Sequence, residues 1–208
     1  MKNSIKFPHK KNPNLAELVG ILLGDGCIND SYQNRIQITL NSNEVDYGRY
    51  ICKLFNKLFN TMPALKFRKS ENAIDIQVFS KDLVRFLIDK VDLVLSPKWG
   101  RAKVPRTYLT RNLRKYVLRG YFDTDGSVVI TNNNGIPYPR LEMKICPSPM
   151  RDTLIEILKR GGFRFGAYNI ENNRTRIQMN GKNQAIKWLS NIGFSNPLHS
   201  QKYDKISW

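Results

Sequence analysis

Leu18-Val19-Gly20-Ile21-Leu22-Leu23-Gly24-Asp25-Gly26 and Leu118-Arg119-Gly120-Tyr121-Phe122-Asp123-Thr124-Asp125-Gly126 are two versions of one phrase, 100 residues apart (125 − 25) in a chain of 208. Each is a turn or two of mostly apolar helix that stops at Asp-Gly. Asn12 or Asn14 can cap the first helix, Pro13 is tolerated in its first turn, and Gly26 can end it in the left-handed conformation. Gly20 and Gly24 are four apart and share a face, as do Gly120 and Thr124. Small residues at that spacing let two helix backbones approach closely. If the two helices pack there, Asp25 and Asp125 emerge side by side. The last carbonyls of a helix carry partial negative charge. The ends of such a pair would therefore form an anionic, oxygen-rich pocket, whose repulsion a divalent cation relieves. Hard oxygen donors favour magnesium.

The rest of the chain has the opposite charge. It holds 34 Lys+Arg against 17 Asp+Glu, a formal net charge of +17. A folded protein this basic usually meets a polyanion, and nucleic acid is the commonest. With 41% hydrophobic residues and 11% aromatics it can bury a core, so it is not a disordered basic tail. No run approaches the ~18 apolar residues of a membrane span. Met1–Lys11 is basic but lacks an apolar signal region, so an intracellular protein with no membrane partner is expected. Cys27, Cys52 and Cys146 form no CxxC, which argues against a disulfide framework or zinc ribbon. His9 and His199 are too few for a zinc site.

After each Asp-Gly the order of elements repeats. Brief strands are expected at Gly26–Asn29 and Gly126–Ile130, then alternating strands at Arg35–Leu40 and Arg140–Ile145. Helices follow near Glu44–Phe59 and Pro149–Lys159. Strands near Leu65–Arg68 and Ile74–Phe79 match Phe163–Asn169 and Thr175–Met179, and a further helix ends each half. Ile76-Gln77-Val78 before Ser80-Lys81 echoes Ile177-Gln178-Met179 before Gly181-Lys182. The reading is an α/β (α+β) chain of tandem αββαββα repeats, residues 1–104 and 105–208, joined through the Pro-rich, basic stretch Ser96–Arg111. One face of each period-2 strand is free for something other than the core. On it the pattern places Arg35, Gln37, Thr39, Lys66, Arg68, Asp75 and Gln77 in one half. The other half offers Arg140, Glu142, Lys144, Arg174, Arg176 and Gln178. Such side chains suit base-edge readout in a major groove, so the two sheets could straddle duplex DNA.

With these residues in view, the chain resembles the LAGLIDADG homing endonucleases. The two motifs, their spacing and the strand pairs carry the resemblance, from about Asn14 to Tyr203. It implies a compact single-chain, monomeric member whose fused halves form a DNA-binding saddle of two antiparallel sheets. Asp25 and Asp125 map onto the family's metal-binding acids, with the carbonyls of Gly24 and Thr124 as further ligands. Two or three Mg2+ ions are implied, with Mn2+ or Ca2+ able to substitute for binding. The basic residue that members often carry near each half-site maps onto Lys98 and Lys202, with Lys103 a competitor for the first. Asp123, two residues before the matched acid, is not expected to be a ligand. Where many members have a polar Gln or Lys after the first strand pair, this chain has Leu40 and Asn41, and Pro147 and Ser148. The implied activity is a double-strand break with short 3′ overhangs in a long, non-palindromic DNA site. The rival from another class is a maturase that binds intron RNA, or a non-cleaving regulator on the same fold.

Overall fold

The computed structural model describes residues 4–31 and 33–204. Helix α1 (Pro13–Leu23) is capped by Asn12, whose side chain accepts from the Asn14 amide. It runs into β1 (Gly26–Asn29), β2 (Arg35–Asn41), α2 (Val45–Phe59), β3 (Ala64–Arg68), β4 (Ala73–Phe79) and the short α3 (Lys81–Arg85). The second half repeats the order: α4 (Arg114–Asp125), β5 (Gly126–Asn133), β6 (Ile136–Ile145), α5 (Pro149–Arg160), β7 (Gly166–Ile170), β8 (Arg174–Asn180) and α6 (Lys182–Asn191). Helix α7 (Pro197–Asp204) follows.

Each half forms a four-stranded antiparallel sheet, in the orders β1-β2-β4-β3 and β5-β6-β8-β7. The equivalence extends to register: Gln37 faces Gln77 across β2 and β4, and Glu142 faces Gln178 across β6 and β8. The alternation expected from the sequence is present. Ile36, Ile38 and Leu40 are buried while Arg35, Gln37 and Thr39 are half-buried on the other face. Leu141, Met143 and Ile145 are buried, with Arg140, Glu142 and Lys144 on the other side. The inward faces join the apolar sides of α1, α2, α4 and α5 in one core spanning both halves, which includes Phe55, Phe122 and Trp188.

Helix α7 adds to the expected order, and two strands differ from the sequence expectation. The β5–β6 hairpin is longer, because Asn134 (φ 50°) and Gly135 (φ 84°) make a two-residue turn between the paired Asn133 and Ile136. Strand β7 begins at Gly166, since Phe163 turns inward against Trp188 to close the core.

Candidate nucleic-acid cleavage site

Helices α1 and α4 cross at their glycines. A Cβ added to Gly20 would lie 2.2 Å from the Val117 carbonyl oxygen, and one on Gly120 would lie 2.2 Å from the Glu17 carbonyl oxygen. The reciprocity marks a pseudo-twofold axis between the two helices. One turn on, a Cβ at Gly24 would meet Thr124 Oγ1 at 2.1 Å and Asp125 Oδ2 at 2.6 Å. The small residues thus deliver Asp25 and Asp125 together at the helix ends.

Both carboxyls are raised by burial and by a neighbouring carboxylate. Asp125 is half-buried, and burial first, then the charge of Asp25, push it up to about 7, with Lys98 opposing. Asp25 keeps an open edge to solvent, yet the surrounding protein and then Glu44 push it up to about 6, again against Lys98.

Lys98 is the cation of this site. Its ammonium donates to the carbonyls of Leu22 at 2.7 Å, Leu23 at 2.9 Å and Gly24 at 2.6 Å, capping the end of α1. Its loop is pinned to β1 by Ser96, whose amide donates to the Ile28 carbonyl at 2.8 Å and whose Oγ accepts from the Ile28 amide at 3.2 Å. Arg101 ties the same loop by donating to the carbonyls of Leu95 and Pro97. Burial lowers the Lys98 pKa, and the charges of Asp125 and Asp25 resist that. The Gly24 carbonyl, expected as a metal ligand, therefore already accepts from Lys98.

The second half is built differently at the matching place. Ser96-Pro97-Lys98-Trp99 aligns at a spacing of 100 with Asn196-Pro197-Leu198-His199, so leucine stands where the first half has its lysine. The next residue, the buried His199, which aligns with Trp99, lies against the Phe122 and Asp123 carbonyls at the end of α4, and its desolvation lowers its pKa to about 4. Asn196 donates to the Asp123 carbonyl at 3.1 Å and to Glu44 at 2.8 Å. Lys202 lies exposed on α7, where its charge acts on His199, while the charges that shift Asp125 are those of Asp25 and Lys98. Lys103 pairs with Asp92 at 2.9 Å. The structure thus brings Asp25, Asp125 and Lys98 together and leaves Lys202 and Lys103 elsewhere.

Asp123, not expected to be a ligand, is fully buried and accepts from the Ser195 amide at 2.7 Å. Burial pushes its carboxyl up to about 8. It belongs to a network joining both halves through Glu17, which is 0% exposed. Glu17 accepts from Tyr50 at 2.8 Å and from Ser195 Oγ at 2.5 Å, and pairs with Arg119.

The expected nucleic-acid residues lie on the outer sheet faces, but not all stand free. Asp75 and Gln77 are buried in the central strand beneath their neighbours. Asp75 pairs with Arg68 at 3.1 Å and accepts from Thr39 at 2.8 Å, and Gln77 donates to Gln37 at 3.1 Å. Glu142 accepts from Gln178 at 2.9 Å and pairs with Arg140. Lys66 and Lys144 are exposed, while Arg174, Arg176 and Gln178 are half-buried. Register adds Ser127, Phe79, Tyr138 and Tyr168 to the same faces, opposite Glu142, Arg35, Thr131 and Arg176. The alternation of β5 beyond Ile130 and the Asn134-Gly135 turn were the signals for Tyr138.

The profile of the LAGLIDADG DNA endonuclease family matches residues 16–189, which contain both motifs and both sheets. The chain belongs to the LAGLIDADG DNA endonuclease family. Among solved structures, it is similar to the homing endonuclease I-WcaI bound to its DNA recognition sequence (TM-score 0.65, 15% identity, 95% of this chain and 88% of that one). It is also similar to I-DmoI in complex with DNA and Mn (TM-score 0.59, 16% identity, 90% and 99%). The N-terminal LAGLIDADG domain of DUF199/WhiA has the same fold (TM-score 0.60, 18% identity, 97% and 89%). At these identities the likeness is one of fold. A DNA polymerase of Thermococcus kodakarensis is 27% identical over 131 residues, 54% of this chain but only 7% of that protein's length. The LAGLIDADG chain thus matches a small part of that larger protein. Among its described residues no helix is long and apolar enough to cross a membrane.

Proposed function

We propose that this LAGLIDADG chain is a site-specific endonuclease that cuts both strands of a long, non-palindromic DNA duplex with the help of a divalent cation. The observation that carries the reading is the meeting of Asp25, Asp125 and Lys98 at the ends of α1 and α4. The two basic sheet faces supply the DNA surface. Because the halves differ in sequence, one chain acts as a monomer on an asymmetric site, its halves dividing near residues 104/105. A nucleic-acid target places the protein inside the cell.

The donor set fits magnesium. Two carboxyls whose pKa values are raised by burial and by a neighbouring carboxylate, Glu44 for Asp25 and Asp25 for Asp125, gain from a dication between them. Among the described residues no cluster of three His, Cys, Asp or Glu side chains could hold a metal alone. That suits Mg2+, which keeps waters and uses one or two carboxylates together with substrate phosphate oxygens. Asp25 and Asp125 would hold it, with the Thr124 carbonyl beside them. When bound, it polarises the phosphate and acidifies water.

The chain's own residues do the rest. Asp25 and Asp125, in ionised form, hold the positive charge needed against a scissile phosphodiester on each strand. Lys98 offsets negative charge beside them and fixes the C-terminal carbonyls of α1. The sheet cations position the backbone, while half-buried Gln37, Arg140 and Gln178 face base edges. Incubating the protein with duplex DNA and Mg2+, with Asp25→Asn and Asp125→Asn as controls, tests the reading. Cleavage that needs both acids is expected; cleavage that survives their loss would overturn it.

A further inference from the structure

A second cationic surface lies at the other end of the α1–α4 pair. Helix α1 has 11 residues and α4 has 12, which at 1.5 Å per residue places their N-termini about 16–18 Å from the carboxylates. There a groove of about 970 Å³ is lined by Lys11, Arg111, Arg114, Lys115 and Arg160, and no carboxylate is among its lining residues. Arg160 pairs with Glu156 at 2.7 Å, but Lys11, Arg111, Arg114 and Lys115 make no ion pair among the described residues. Tyr116 lies in the same groove, with the Lys115 ammonium 5.1 Å from its ring centre.

The first turn of α4 also opens here. The partly positive end of the helix adds to the basic side chains, although the Leu113 and Arg114 amides already donate to the Thr110 carbonyl and the Tyr116 amide to that of Leu113. Burying none of this charge against acids costs self-repulsion in a chain of net charge +17. A polyanion relieves it. The groove is bounded by the N-terminal ends of α1 and α4 and the C-terminal ends of α5 and α6, and its basic side chains suit a phosphodiester strand. A basic channel with an aromatic ring is the pattern that tracks single strands.

We infer that this groove binds a single-stranded nucleic-acid segment, on a surface separate from the saddle. The two surfaces lie at opposite ends of one helix pair, so both can be filled at once. The inference stands apart from the cleavage proposal, because duplex cutting reads one surface and strand binding reads the other.

The test is fluorescence anisotropy with labelled 15-nucleotide oligo(U) and oligo(dT). The intact chain is compared with Arg111→Glu/Arg114→Glu/Lys115→Glu and with a control carrying the same charge change elsewhere, Lys53→Glu/Lys57→Glu/Lys81→Glu. A milder Arg111→Gln/Arg114→Gln/Lys115→Gln variant covers any failure of the first to fold. The groove variants should lose at least tenfold in strand affinity, and the salt slope should fall by about 2, as expected for about three lost phosphate contacts at ~0.7 each. Duplex binding and cutting should stay within about twofold of the control. Stronger binding of oligo(U) would name the 2′-hydroxyl as part of recognition, and equal binding would name the backbone alone; both support the assignment. Strand affinity unchanged in the groove variants, or lost equally in the control, would overturn it.

Discussion

Replacing Gly20 with alanine sets two effects against each other, and the structure decides the sign. In an exposed helix, alanine is favoured over glycine by about 1 kcal/mol. Here the new methyl would lie 2.2 Å from the Val117 carbonyl oxygen and 2.8 Å from the Tyr121 amide nitrogen, where ordinary contact begins at 3.4 Å. Both obstacles are backbone, so no rotamer change relieves them, and α1 and α4 must separate by about 1.2 Å (3.4 − 2.2) at the crossing. Overpacking of this kind costs roughly 1–3 kcal/mol, and here it strikes the central contact between the two halves, at the upper end of that range. The net effect is destabilisation by about 1–2 kcal/mol, or roughly 2–8 °C in Tm for a chain of this size. The same separation moves Asp25 away from Asp125, and a displacement of about 1 Å at a reacting centre can cost about 100-fold in rate. Gly20→Ala should therefore lower Tm and cleavage while leaving duplex affinity nearly intact. Adding Gly120→Ala should cost less than the first change, because the second methyl enters a gap already opened. Differential scanning calorimetry of both variants checks this. A Gly20→Ala protein as stable as the parent, or more so, would refute the close crossing.

Asp125→Asn, measured in EDTA, should be nearly neutral for stability near pH 4 and stabilising above pH 7. A carboxyl raised from 3.8 to about 7 binds its proton more tightly folded than unfolded, so its ionisation weakens the fold as pH rises across that window. Chemical denaturation at both pH values reads the difference. Lys98→Met should slow cleavage by about 100-fold or more, the scale for loss of one charge-stabilising donor, with a much smaller change in DNA affinity. Its rate on each strand can be followed by end-labelling. Lys202→Met should change neither. Glu17→Ala should destabilise by about 1–3 kcal/mol in urea denaturation, because it leaves half-buried Arg119 without its partner and removes the acceptor of Tyr50 and Ser195.

Most of the fold was legible in the sequence because the duplication repeats patterns that obey short-range rules. The Gly20/Gly24 and Gly120/Thr124 spacing reports a close helix crossing. The alternation in Arg35–Leu40 and Arg140–Ile145 reports half-buried strands. Asp25 and Asp125 follow from those two signals together. Lys98 was harder to read, since it reaches the site through a loop clamped to β1 by Ser96 and Arg101, contacts that no local pattern encodes. Lys202 rests on the family resemblance, which carries a basic residue near each half-site. The alignment of Pro97 with Pro197 would have shown instead that Leu198 replaces the lysine. The burial of Asp75 and Gln77 depends on long side chains lying across the central strand, which alternation alone does not reveal. Glu17 falls in the apolar first turns of α1, and its role depends on partners 33, 102 and 178 residues away.

The most direct test is cleavage of a pooled library of long duplex DNA sites with Mg2+ or EDTA, with the ends sequenced, for the intact chain, Asp25→Asn and Asp125→Asn. The account predicts magnesium-dependent breaks at one non-palindromic sequence with short 3′ overhangs, abolished in both variants while duplex binding persists. Tight duplex binding without breaks at any sequence, or breaks that survive loss of both carboxylates, would contradict it.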